Sequence, residues 1–70
     1  MQKYKVLFIN GQAFNYHHGM SLQEILVYLN FNLSNIIVEH NKEVITSNDF
    51  NNLFLSNLDR IEVITIVGGG

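Results

Sequence analysis

Seventy residues with a net charge of −2 and no cysteine bound the problem tightly: one domain, near the lower size limit for a self-sufficient core. The missing thiol excludes disulfides, iron–sulfur clusters, Cys-ligated zinc and cysteine nucleophiles. No block of like charge offers the usual footprint for nucleic acid or an anionic membrane.

Stability must therefore come from apolar burial, for which 47% hydrophobic residues suffice. No apolar run approaches the ~20 residues of a membrane span. Met1-Gln2-Lys3-Tyr4-Lys5 leads into a strand and lacks the apolar region and cleavage site of a signal peptide. The protein is expected to act where it is made. Ten asparagines, eight isoleucines and the lone Ala13 point to an AT-rich genome, bacterial or plastid. The expected location is accordingly cytoplasmic, or the stroma if the gene is a plastid one.

Tyr4 to Ile9 is β-branched and aromatic enough for a strand. Asn10-Gly11 is the strongest short hairpin signal, since both central positions of a type I′ turn need positive φ; Gln12 to Tyr16 returns as the second strand. His17-His18-Gly19 is a loop. Ser21-Leu22-Gln23-Glu24 is a capping box, with Met20 outside it as a hydrophobic staple on Ile25. Leu22, Ile25, Leu26 and Leu29 follow on one helical face, which predicts a helix within Ser21–Asn30. Asn30, Asn32, Ser34 and Asn35 end it.

Ile36 to Glu39 reads as a third strand, Asn41-Lys42 as a turn and Glu43 to Thr46 as a short fourth strand. Ser47-Asn48-Asp49 opens an asparagine-rich stretch through Asn57 with room for one helical turn. Phe50, Leu53, Phe54 and Leu55 are its expected inward anchors. Leu58-Asp59-Arg60 leads into a last strand, Ile61 to Val67. A helix across one face of a mixed sheet is the economical two-layer solution. The last strand can lie parallel beside the first because the intervening chain supplies the long crossover. The expected class is α+β: a β-grasp, ubiquitin-like domain over residues 1–70, with four to five strands and one main helix.

The sequence then stops on Gly68-Gly69-Gly70. Three extended residues reach roughly 10 Å beyond a strand, and glycine accepts whatever backbone angles a narrow channel imposes. Such a tail can present the Gly70 carboxylate to another protein's active site, although small frayed ends are also common.

The order of these elements, with Gly19-Met20-Ser21-Leu22 before the helix, Asn41 in the middle turn, Asp59-Arg60-Ile61-Glu62 opening the last strand and the diglycine end, resembles the ThiS family of thiamine-biosynthesis sulfur carriers. The resemblance covers essentially the whole chain. Lys42 departs from it, standing where the family often has glycine, and the asparagine-rich segment is atypical in composition. The resemblance implies a carrier rather than an enzyme. A ubiquitin-activating-type adenylyltransferase would adenylate Gly70. Sulfur drawn ultimately from a cysteine desulfurase would convert it to a thiocarboxylate, and thiazole synthase would take that sulfur. Gly69 and Gly68 would give access. No cofactor is expected on the chain itself, since ATP belongs to the activating partner; no metal, nucleic acid or membrane is expected, and the free protein should be a monomer.

Alternation along the last strand offers a docking surface. If Ile61, Val63, Thr65 and Val67 face the helix, Ile64 and Ile66 are exposed just before the tail, joined by Val6 and Phe8 on the neighbouring strand. The opposite phase would bury them. A contiguous apolar patch marks a partner site, whereas scattered surface hydrophobes need no explanation.

The remaining polar residues read as structural. His17 and His18, adjacent on a strand, would point to opposite faces and chelate poorly. His40 has no recognisable third partner and is expected at the surface. Ser21 is a cap. Asp49, Asp59 and Glu62 are expected in turns or on exposed strand faces. Three rival readings share the fold: the small subunit of molybdopterin synthase, a lysine-conjugated modifier, and a ubiquitin-like binding module with an incidental tail.

Overall fold

Asn10 and Gly11 both take positive φ, 51° and 81°, and this turn folds β1 (Tyr4–Ile9) back on β2 (Gln12–His17). Residues 4–66 are described in the structure, a computed structural model; Val67 and the Gly68–Gly70 tail lie outside them. Beyond the hairpin come α1 (Leu22–Tyr28), β3 (Ile36–His40), β4 (Glu43–Ile45) and β5 (Arg60–Thr65). The strands form one five-stranded mixed sheet in the order β2-β1-β5-β3-β4, with β1 and β5 parallel at its centre. This is the expected β-grasp arrangement.

Every free amide at the start of α1 has an acceptor, as a helix end inside a domain requires. Glu24 N donates to Ser21 Oγ at 3.2 Å, and Ser21 N donates to Glu24 Oε1 at 2.9 Å. The next two partners come from far along the chain: Leu22 N donates to Leu53 O (2.7 Å) and Gln23 N to Phe50 O (3.0 Å). The asparagine-rich stretch is thus the lid on the helix N-terminus. At the other end Asn30, φ 68°, makes a left-handed stop. Asn30 N donates to Val27 O, and Phe31 N to Leu26 O, which is the Schellman pattern.

Leu22, Ile25 and Leu26 turn inward from α1 onto Leu7, Ile9, Tyr16, Val38, Ile61 and Val63 of the sheet, with Phe50 and Leu55 closing the core from the side. Burying such a side chain is worth about 1.5–3 kcal/mol each. Phe54 does not join them. It is 59% exposed, because a bridge to Ser21 holds its backbone extended and neighbouring side chains alternate. Leu53 and Leu55 take the inward positions, leaving Phe54 outside. The expected single turn appears at Ser47–Asp49 as a 3-10 helix. A second such turn, Leu33–Asn35, lies where only a loop was expected.

The β1–β5 register is set by Phe8 beside Arg60 and Ile9 beside Ile61. The sequence predicts a parallel pairing of Val6–Ile9 with Ile61–Ile66; the observed pairing lies nearer the start of β5. The hairpin turn ends β1 at Ile9, so the far half of β5 runs past it and pairs with β3 alone.

Candidate functional site

The site residues expected from the sequence fall in two regions: the end of β5, from which the chain continues to Gly70, and the sheet face opposite the helix. β5 alternates as one phase predicted. Ile61 and Val63 are buried against α1, while Arg60, Glu62 and Ile64 face outward; Thr65, on the inward side, is already exposed. Ile64 and Ile66 are half exposed. Ile66 N donates to Asn35 O at 2.7 Å, tying the strand end to the loop before β3. The expected functional tail, Gly68, Gly69 and Gly70, lies outside the described residues.

Val6 and Phe8 do not join Ile64 and Ile66. Phe8 is level with Arg60, four residues before Ile64, or about 13 Å along the strand. Both are only partly exposed, and the Arg60 guanidinium lies 4.9 Å over the Phe8 ring. The neighbour of Ile64 is Ile37 on β3, directly opposite in the antiparallel register and itself exposed. Sequence reasoning missed Ile37. It lies 27 positions from Ile64 in the sequence, and only the register of β3 against β5 brings them together. On the next outward rung Glu39 stands opposite Glu62 and is flanked by exposed Val44 of β4.

His40 is not the unpartnered surface residue expected from the sequence, and Asp59, expected in a turn or on an exposed strand face, directly follows the turn at residues 57–58 and is its partner. His40 Nε2 and Asp59 Oδ2 lie 2.7 Å apart, with both side chains largely covered. Asn41 Nδ2 donates to Asp59 Oδ1 (3.1 Å), and Ser56 N donates to Asp59 Oδ2 (2.9 Å). Asn41 also brackets Arg60: its Oδ1 accepts from Arg60 N and its N donates to Arg60 O, both at 2.8 Å. The network fastens the β3–β4 turn to the base of β5. Burial pushes the Asp59 carboxyl up, but hydrogen bonds from His40, Ser56 and Asn41, with the His40 charge, outweigh it and hold the pKa below its ordinary value. The turn itself keeps its geometry despite lysine in place of glycine, with Asn41 at φ 49° and Lys42 at φ 75°. On the core side the Tyr16 hydroxyl donates to Leu55 O at 3.0 Å. Burial, then the charge of Asp59, raises its pKa.

The His17 and His18 rings do not diverge. They stack at 5.2 Å with 20° between planes, because His17 is the last residue of β2 and His18 already belongs to the turn. Among the described residues no three His, Asp or Glu side chains converge to hold a metal. An apolar groove of about 340 Å³ runs between α1 and the hairpin, lined by Tyr4, Phe14, Met20 and Tyr28 among others.

Residues 7–70 match the model of the ThiS family. The ycf40 protein of Trieres chinensis is 38% identical over 94% of this chain and 90% of its own. A protein named thiazole synthase from Magnetococcus marinus is 34% identical over 89% of this chain, yet this stretch is only 19% of that protein. Among solved structures, a thiamine biosynthesis protein (ThiS) from Geobacter metallireducens superposes with a TM-score of 0.74 at 26% identity, covering 93% of this chain and 99% of its own.

Proposed function

Since the chain belongs to the ThiS family, we propose that it is a sulfur carrier for the thiazole moiety of thiamine, working through the C-terminal carboxylate of Gly70. The observation that carries this reading is that the family match runs through the three glycines to residue 70, directly beyond a strand anchored at Ile66.

The chemistry follows from the carboxylate. With a reference pKa of about 3.3–3.7 it is ionised at neutral pH, and an anion is a poor electrophile. Attack of its oxygen on the α-phosphorus of ATP, with loss of pyrophosphate, gives an acyl adenylate whose carbonyl carbon accepts a sulfur nucleophile. When a persulfide of the sulfur-donating partner attacks, AMP leaves and an acyl disulfide forms; a second thiol of that partner then attacks the outer sulfur, forming a disulfide and releasing the thiocarboxylate. The chain has no cysteine, so it offers no thiol to receive the transferred sulfur, and the reading places that sulfur on the Gly70 carboxyl. The adenylating groups and ATP belong to a ubiquitin-activating-type partner; the carrier binds no cofactor and acts as substrate, not as enzyme. Sulfur comes ultimately from a cysteine desulfurase.

The acceptor in this reading is thiazole synthase. In the Magnetococcus relative the matching stretch lies inside a polypeptide with that name. Covalent linkage of a carrier to its acceptor raises their effective concentration without any new contact. The same likeness favours the thiamine branch over molybdopterin synthesis. The ycf40 relatives are plastid-encoded, which supports the stroma as the site of action. The deciding experiment is an intact-mass measurement on protein from cells making thiazole. The expected product is a population heavier by one oxygen-to-sulfur exchange located at Gly70. A homogeneous unmodified carboxylate under those conditions would count against the carrier reading.

A further inference from the structure

Of the ten asparagines only Asn10 is followed by glycine, and this pair forms the exposed turn between β1 and β2. An asparagine amide is open to attack by the backbone nitrogen of the residue that follows it. A side chain on that next residue hinders the approach: at Asn15, Asn30 and Asn35 it is tyrosine, phenylalanine and isoleucine. Gly11 hinders nothing, and beyond its adjoining residues no atom lies within 4 Å of where a Cβ would stand. What restrains Asn10 is the double hold of its side chain on β5. Its Oδ1 accepts from Val63 N at 2.8 Å, and its Nδ2 donates to Val63 O at 3.3 Å. The hold matters to the sheet, because β1 and β5 pair directly at only two positions, Phe8 with Arg60 and Ile9 with Ile61.

Independently of the carrier reading, we propose that Asn10 is a site of spontaneous deamidation and that its hydrogen bonds to Val63 gate the reaction. Hydroxide removes the Gly11 amide proton, and the nitrogen bonds to Asn10 Cγ. The Cγ–Nδ2 bond breaks, and Nδ2 departs as ammonia with a proton taken from water. Water then opens the cyclic imide at either carbonyl, leaving aspartate or isoaspartate. The net change is one water consumed and one ammonia released. Turning Cγ toward Gly11 N draws both amide atoms off Val63, so the two hydrogen bonds open before the nitrogen attacks. Conversion also undoes the hold. Aspartate keeps an acceptor for Val63 N but sets a carboxylate oxygen against Val63 O, with no proton between them. Isoaspartate diverts the main chain through the former side chain and loses the turn geometry as well. Either product loosens the hairpin from β5.

The test incubates the full chain at mildly alkaline pH, folded and in urea, and follows conversion by peptide mapping with aspartate and isoaspartate resolved. In urea Asn10 should convert before every other asparagine. In the folded protein it should convert at least about tenfold more slowly, since attack waits for local opening. Urea added below the unfolding transition should accelerate conversion in step with deuterium exchange of the Val63 amide. Asn10→Asp should melt below the parent. A folded-state rate equal to that in urea, or first conversion at another asparagine, overturns the inference. So does a parent-like melt of Asn10→Asp.

Discussion

His40 Nε2 and Asp59 Oδ2 meet at 2.7 Å across 19 residues of sequence, and that contact joins the two ends of the chain's least regular segment. His40 is the last residue of β3, and Asp59 immediately precedes β5. Between them run the β3–β4 hairpin and the asparagine-rich lid that caps α1. Asp59 therefore holds together the turn, through Asn41, and the end of the lid, through Ser56.

This contact gives stability a definite acid dependence. Asp59 titrates below its ordinary value of 3.8 in the folded protein, so the unfolded chain takes up the proton first as pH falls. The stabilisation is complete well above that value and is lost as pH drops through the lower, folded-state one. Asp59→Asn should cost about 1–3 kcal/mol at neutral pH and flatten the acid limb of a melting-temperature profile. An unchanged acid limb in the variant would assign the acid sensitivity to other groups.

Asn10 should prove to be more than a turn residue. Its Oδ1 accepts from Val63 N at 2.8 Å and its Nδ2 donates to Val63 O at 3.3 Å, so the side chain continues the parallel ladder after β1 has turned away. Asn10→Gly keeps the positive φ but removes both bonds. We expect a loss of about 1–2 kcal/mol in denaturant unfolding, because Val63 N is left on a buried strand. A neutral Asn10→Gly would show that the turn conformation alone matters.

Lys42 and Leu58 carry left-handed backbone, φ 75° and 71°, without the glycine or asparagine that normally sits there. Each such residue costs about 1–2 kcal/mol, partly offset by the extra unfolded-state freedom of glycine, about 0.5–1 kcal/mol. Lys42→Gly and Leu58→Gly should each raise the thermal midpoint slightly, and together additively, since they lie in different turns. A fall in either case would mean that the side chain contributes more than the strain removes.

How far the sequence alone reaches follows the range of the interactions. Asn10-Gly11 and Ser21/Glu24 were legible because each satisfies its own local geometry within four residues. The burial phase of β5 was legible as one of two alternatives. Phe54 was not, because its outward direction depends on a bridge to Ser21 that no local pattern encodes. Neither the Ile37–Ile64 contact nor the His40–Asp59 pair could be read, since both require the β3–β5 register. Separating Val6 and Phe8 from Ile64 needed the β1–β5 register as well.

Ile64→Asp should weaken capture by the activating enzyme and spare the fold. The side chain is half exposed, so the free protein tolerates a charge there within about 0.5 kcal/mol. In a desolvated contact beside Glu62 the same charge is costly. The measurement pairs a thermal melt with the KM for carrier in pyrophosphate exchange: an unchanged midpoint with a raised KM is expected. A parent-like KM would remove Ile64 from the docking surface.

The tail carries the most direct test of mechanism. On the proposed reading, adenylation needs a free carboxylate on Gly70, four residues beyond Ile66 in the sequence. One residue added after Gly70 moves the carboxylate about 3.3–3.6 Å farther out, beyond reach of the α-phosphorus when the carrier is docked. A bulky residue in place of Gly69 fails for a different reason, obstructing the channel through which the tail must pass. Both variants should lose pyrophosphate exchange, yet melt with the parent, because the core ends before the glycines. Substitution at Gly69 should act on kcat and KM together. Undiminished exchange by the extended protein would rule out activation at Gly70 and leave a ubiquitin-like binding module as the reading that stands.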